Sequence, residues 1–220
     1  MILKSPFNYK TLLCFVGASF VFFTSCSKGS VVPNVGEDDT LANEYEIESL
    51  VYFLSDSDKI DTVKVNFDAE EFNNSSNTLK TVQQVETFND LVKTSVFQLD
   101  KTGDELPHDL DIAQFEVNVP GVYYPDGTFS FYSERFSLSD TLVKEPYNYN
   151  NSFTLDLKVP ANSKLIVKKS IDQHNMVCSF ELVFRNKTTG EIITLNGKWR
   201  GVLRYFNEHF RVEEKTWDRF

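Results

Sequence analysis

Histidine is scarce in this chain: three residues in 220, at His108, His174 and His209. None is spaced for joint ligation with another or with a cysteine, which argues against a zinc or similar metal site. Gly-x-Ser-x-Gly, the P-loop and the dinucleotide fingerprint are all missing, so no nucleotide cofactor or serine-hydrolase elbow is indicated. Basic charge is also short, with 22 Lys and Arg against 32 Asp and Glu, a net charge of −10. No basic patch with interleaved aromatics stands out, which speaks against nucleic acid as a partner. Asp56 to Asp61 glances at a calcium loop but lacks its central glycine and terminal glutamate, and reads as a solvated acidic turn. No carboxylate pair stands out as catalytic. The sequence points to a protein that is not an enzyme and needs no cofactor.

Long apolar runs are lacking too. The longest, Thr11 to Phe23, is shorter than the roughly 20 residues that span a bilayer. It follows Lys4 and Lys10, as the h-region of a secretory signal does. Phe23-Thr24-Ser25-Cys26 then resembles a bacterial lipobox, with Phe23 in place of the usual leucine. The resemblance implies a signal over residues 1–25, lipidation at Cys26, and a membrane partner through that lipid. Several acyl chains, at about 0.8 kcal/mol per buried CH₂, anchor stably. Ser27 after the cysteine implies release to the outer membrane, and Glu37-Asp38-Asp39 loosely resembles the acidic export tags of surface lipoproteins. Removing the signal takes Lys4 and Lys10 and moves the net charge from −10 to −12. Cys14 leaves with the signal and Cys26 takes lipid, so Cys178 has no intrachain partner. It sits on one strand face with Phe180, Leu182 and Phe184 and reads as a small buried hydrophobe.

The chain does have strand chemistry. Phenylalanine alone numbers 20, and Val, Ile, Tyr and Thr fill the apolar runs. Residues 26–43 read as a polar tether, and 44–220 as one all-β, antiparallel domain. Residues 45–54 fit either a strand or a short helix. Residues 61–67 alternate as a half-buried strand. Residues 73–99 suit one long strand or two with a bend, with a helix over 82–91 as the rival. A turn is expected at 100–109. Ala113, Phe115, Val117 and Val119 alternate with Gln114, Glu116 and Asn118, and Pro120-Gly121 is expected to break that strand. A turn at Pro125-Asp126-Gly127 precedes a strand over 128–138. Further strands are expected at 152–159, 164–168, 177–185, 191–195, 198–205 and 209–212, with Thr188-Thr189-Gly190 closing a hairpin.

Two short elements carry a family resemblance. Val159-Pro160-Ala161-Asn162-Ser163-Lys164 ends one strand and starts the next, and Gly197-Lys198-Trp199-Arg200-Gly201-Val202 precedes an aromatic strand. Pro160 ends ladder pairing, and Asn162 and Ser163 can cap the bend. In this order the elements resemble the pore-forming module of the aerolysin and clostridial epsilon-toxin superfamily, over roughly 64–212. The resemblance implies an elongated β-sandwich of long twisted antiparallel sheets, the alternative being a compact immunoglobulin-like sandwich. It implies oligomerisation into a homo-oligomer and insertion of an amphipathic hairpin into a target-cell membrane. By position that hairpin falls within 88–133. Ala113, Phe115, Val117 and Val119 would face lipid, and Gln114, Glu116 and Asn118 the lumen. The region is acidic and carries Pro107 and Pro120, whereas the family's hairpin is rich in Ser and Thr. A second reading is a non-enzymatic surface-binding or adhesion lipoprotein, with Tyr123, Tyr124, Tyr147 and Tyr149 as candidates to stack on sugars.

Overall fold

The computed structural model describes residues 44–100 and 106–216. The signal, Cys26, the tether and residues 101–105 of the expected turn lie outside the described residues. What is described is all β apart from one 3₁₀ turn. In chain order the strands are β1 (Tyr45–Phe53), β2 (Lys59–Asn66), β3 (Glu70–Asn74), β4 (Lys80–Thr87), β5 (Val92–Leu99), β6 (Glu116–Tyr123), β7 (Phe129–Ser137), β8 (Val143–Pro146), β9 (Ser152–Val159), β10 (Ser163–Asn186) and β11 (Ile192–Thr216). Residues 45–54 are thus strand, and the helix alternative over 82–91 is replaced by β4, a bend and β5.

β10 and β11 organise everything else. They have 24 and 25 residues, so each runs about 80 Å at about 3.3 Å per residue. They pair antiparallel from Ser163–Thr216 to Arg185–Ile192. The sequence reading divided this stretch into five short strands, and that division is corrected here. The polar run Asp172 to Asn175 and the Asn207 region look like breaks but are absorbed as bulges, one between Ser170 and Asp172 and one between His174 and Asn175. Asn207 supplies the required left-handed backbone, at φ 59°. A bulge lets one residue drop out of register while twist increases and the ladder continues. A compact immunoglobulin-like sandwich has no strand of this length, so the elongated alternative holds.

β1, β2 and β3 pair with successive stretches of β10, and β5 with β8 extends the sheet beyond β11. Two separate two-stranded sheets, β4–β9 and β6–β7, lie apart from this large sheet. The principal core gathers around Trp199, Tyr52, Phe97, Phe180 and Phe184, all 2 % exposed or less. Cys178 is buried on the same face as Phe180, Leu182 and Phe184, and burial pushes its thiol well above the usual range. Smaller cores form around Phe88 with Ile171 and around Leu157, Val159, Leu165 and Val167.

The two elements around Pro160 and Trp199 sit at structural joints. β9 ends at Val159, and Pro160 and Asn162 (φ 51°) turn the chain out of the β4–β9 sheet into the large one. The bend is not capped only locally. The buried Asn74 side chain shares its amide among the carbonyls of Thr78, Val159 and Pro160, at 2.8–2.9 Å. Ser163 Oγ also donates to Pro160 O, and Asn162 N donates to Ser76 O. In the second element, Gly197 and Gly201 lie where β5 crosses closely. A Cβ on either would collide with the carbonyl of Gln98 or Thr94. Between them Trp199 is fully buried and donates from Nε1 to Ser95 Oγ at 3.0 Å.

The acidic turn after β1 is not simply solvated. Asp58 has no exposed side-chain surface and accepts from Ser55 N, Ser179 N and Ser179 Oγ. Lys198 Nζ meets it at 2.6 Å and also donates to Ser55, Ser57 and Ser179. Burial alone would raise its pKa, but Lys198 and these hydrogen bonds hold it at about 2. The pair stitches the β1–β2 turn across β10 to β11.

Candidate membrane-active hairpin

The site to build is β6–β7, because the alternating apolar residues expected to meet lipid fall there. The structure divides those residues. Ala113 and Gln114 lie in the 3₁₀ turn Ile112–Gln114, capped by Asp111, and both are exposed. They do not continue the strand here, so the expected strand alternation starts only at Phe115. Asp111 explains it, since its carboxylate accepts from Ala113 N at 3.1 Å and from the Gln114 amide, and short polar side chains of this kind draw a backbone out of extended form. From Phe115 onward the alternation is kept. Phe115, Val117 and Val119 are buried, while Glu116 is exposed and Asn118 half-buried.

Pro120 and Gly121 do not break the strand, contrary to the sequence expectation. β6 runs through them, with register shifts on both sides of Pro120. The missing proline N–H falls at an irregularity, where no ladder bond is required of it. Asn118 Nδ2 fills in by donating to Tyr132 O at 3.0 Å. The hairpin turns at residues 124–127, where Tyr124 N bonds Thr128 O and the Asp126 carboxylate accepts from Thr128 N and Oγ1. Tyr124 is exposed at this tip, and Tyr123 is half-buried against Phe129.

No ladder joins β6 or β7 to the large sheet. The hairpin is held by side chains. Phe115 packs on Phe184 with ring centres 4.8 Å apart, and Tyr52 meets Phe129 and Phe131 at 6.3 and 5.9 Å. Tyr52 Oη donates to Asn118 O at 3.1 Å. Lys93 is a further polar tie, beside that of Tyr132 Oη to Pro146 O at 3.4 Å. It is wholly buried on β5 and its Nζ donates to Pro120 O at 2.5 Å and to Leu203 O at 2.8 Å. The rings of Tyr132 and Trp199 lie 5.0 and 5.7 Å from the nitrogen. Desolvation lowers its pKa to about 7. Sequence reading missed Lys93, because a lone lysine between Val92 and Thr94 looks like any solvent-facing strand residue.

The pairings nest. Thr87 faces Ser152, Val92 faces Pro146, Glu116 faces Ser137 and Tyr123 faces Phe129. Each pair lies inside the one before. β4, β5 and β6 are thus the outgoing arm of one long hairpin, and β7, β8 and β9 the return arm. Its tip is residues 124–127, and it is folded into three pieces against the β10–β11 pair. A burial of about 1.5–3 kcal/mol per side chain for Phe115, Val117, Val119, Phe129 and Phe136 puts release of the tip on the order of 10 kcal/mol. It therefore stays closed unless another apolar surface takes over. Among the described residues no cluster of His, Cys, Asp or Glu could hold a metal ion.

No family model matches the chain, and no curated protein matches it. Solved structures similar to it include the parasporin-2 toxin of Bacillus thuringiensis that recognizes cancer cells. That match has a TM-score of 0.46 at 14% identity, covering 79% of this chain and 75% of that one. The lamprey immune protein is similar at TM-score 0.39 and 13% identity, over 78% of this chain and 53% of that one. The aerolysin-like protein of Bombina maxima is similar at TM-score 0.37 and 14% identity, over 76% of this chain and 97% of that one.

Proposed function

We propose that this chain is an exported, lipid-anchored, aerolysin-like pore-forming protein, held on the outer membrane through Cys26 and directed at a target-cell membrane. The observation that supports this most is the nested pairing of residues 80–159. A hairpin whose three pieces already share one tip can straighten into a single longer ribbon without changing which arm faces which. Its tip is attached to the large sheet by packing and a few polar ties, among them those of Tyr52, Lys93 and Tyr132, not by a ladder. In a homo-oligomer, neighbouring ribbons would satisfy their edges by closing a barrel, the only strand arrangement a bilayer accepts. Phe115, Val117 and Val119 would exchange core for lipid, and Glu116 and Asn118 would face water. The apolar exchange offsets the cost of release, so the membrane itself supplies the drive.

The test is dye release from phospholipid vesicles by residues 27–220, with and without brief protease treatment, beside an assay for detergent-resistant oligomers. Release together with a ladder of heat-stable oligomers is expected. Absence of release from a chain that stays monomeric throughout would remove the pore mechanism. A second reading, a non-enzymatic surface-binding lipoprotein, draws support from the hairpin's apolar face already having core partners.

A further inference from the structure

The nested hairpin has a gap in its ladder. Pairing stops at Thr87–Ser152 and resumes at Val92–Pro146, with Tyr147 N donating to Leu91 O at the gap's edge. Between these points the arms part around a groove of about 490 Å³, lined by residues 88–92 and 146–150. The sequence of the return arm here is Tyr147-Asn148-Tyr149-Asn150-Asn151.

Three features give the groove a chemistry. First, Tyr147 and Tyr149 both line the groove with their rings nearly parallel (6.5 Å, 29°) and partly exposed, and Tyr132, outside the lining, backs Tyr147 at 5.4 Å and 19°. Burial raises the Tyr147 and Tyr132 phenols, so they stay neutral donors at physiological pH. Second, the amides of Asn89 and Asn150 are exposed and have no hydrogen-bond partner among the described residues. Third, Asp90 stands between the arms at φ 62°, a left-handed backbone that a non-glycine residue holds only at a cost. Its carboxylate also has no partner among the described residues. No lysine or arginine lines the groove.

The near-parallel pair Tyr147 and Tyr149 suits the flat C–H face of a pyranose, and free amides with a carboxylate suit its hydroxyls. Lack of a lining cation disfavours an anionic ligand. A quaternary ammonium calls for rings that converge around it, which nearly parallel rings do not do. We propose that this groove binds a neutral saccharide. The inference extends the surface-binding reading and does not rest on pore formation.

The test is calorimetric titration of the full chain in detergent with maltohexaose, cellohexaose, chitohexaose and mannohexaose, with phosphocholine and a sulfated hexasaccharide alongside. At least one neutral hexasaccharide should bind with a dissociation constant under about 1 mM. Tyr147→Ala and Tyr149→Ala should each weaken it about tenfold, while Tyr147→Phe stays within about threefold, because the ring provides the contact. Tyr147 also packs on Tyr205, so alanine there can loosen the arm. Asn89→Ala and Asn150→Ala avoid this and should weaken binding roughly three- to tenfold with an unchanged melting temperature. The proposal is overturned if no neutral sugar binds at about 10 mM, if all four alanine variants bind as the parent does, or if phosphocholine or the sulfated sugar is preferred. Vesicle leakage by the same variants is read in parallel. Leakage without sugar binding sinks this inference alone, and sugar binding without leakage sinks the pore reading alone.

Discussion

The molecule holds two long hairpins that use the same strand chemistry in opposite ways. In β10–β11 two bulges absorb every irregularity, and the ladder runs unbroken between Ser163–Thr216 and Arg185–Ile192. In the nested hairpin of residues 80–159 the ladder is interrupted twice and the arm folds into β4–β9, β5–β8 and β6–β7. The difference lies in what sits opposite each interruption. Asn207 in β11 faces a strand whose register can slip by one residue. Residues 88–91 face five residues on the return arm, and the long excursion between β5 and β6 faces only a short link. One extra residue on one strand makes a bulge, whereas a run of several unpaired residues on both arms folds the ribbon. One hairpin is therefore a fixed spine and the other an arm stowed against it.

The contrast breaks most sharply at Trp199, the largest fully buried side chain. Trp199→Ala should cost about 3–5 kcal/mol, since it empties a fully buried site and leaves Ser95 Oγ without its partner. Urea denaturation should show the whole fold losing stability together. A loss confined to the arm would mean that Trp199 belongs to the stowed hairpin. Asp58→Asn comes next, at about 2–3 kcal/mol, because Lys198 and Ser179 lose a charged acceptor. Asp58 has a lowered pKa, so its contribution is complete above about pH 4 and lost as the pH falls towards 2. The asparagine variant should flatten that acid limb of the stability curve.

How much of this contrast could be read from sequence depends on the range of the interactions. Val63, Val65 and Phe67, or Phe115, Val117 and Val119, announce strands because alternation is local. The alternation of Gln114 and Ala113 misled, since Asp111 closes a 3₁₀ turn across them by hydrogen bonds that a period-two pattern does not encode. Pro120 looked like a strand end, yet two register shifts accommodate it. The division of β10 and β11 into five pieces failed for the same reason, because a bulge and a turn are written with the same polar residues. Asn74, Asp58 and Lys93 were illegible because their partners lie 85, 121 and 110 residues away. The motifs at Pro160 and Gly197–Gly201 were legible as joints, but Asn74's part in the first was not.

Lys93, on the arm strand that pairs with the spine, ties the arm's tip in as well, through Leu203 O and Pro120 O. Its folded pKa of about 7 lies below the ordinary lysine value, so the unfolded chain binds the extra proton between about pH 7 and 10.5. Stability should then rise with pH across that window, by up to about 1.4 kcal/mol per unit. Lys93→Met should remove this slope, while the parent keeps it. Equal slopes in both would show that the ammonium stays charged in its pocket.

The smallest effect separates the two hairpins most finely, because each holds one non-glycine residue at positive φ within its irregularity. Asp90 (φ 62°) sits in the arm's gap without a partner, whereas Asn207 (φ 59°) sits in the spine's bulge and donates from Nδ2 to Asp172 at 2.6 Å. Glycine relieves the left-handed backbone at either site, worth about 0.5–1 kcal/mol. At Asp90 nothing is lost in exchange, so Asp90→Gly should stabilise by that amount. At Asn207 the lost hydrogen bond offsets the relief, so Asn207→Gly should change stability by under about 0.5 kcal/mol. Measured by urea midpoints at pH 7, a gain at Asp90 and none at Asn207 would mark the arm's gap as a strained opening and the spine's bulge as a satisfied one. Equal gains would mean that the Asn207–Asp172 bond holds nothing in place and that the two irregularities differ only in length.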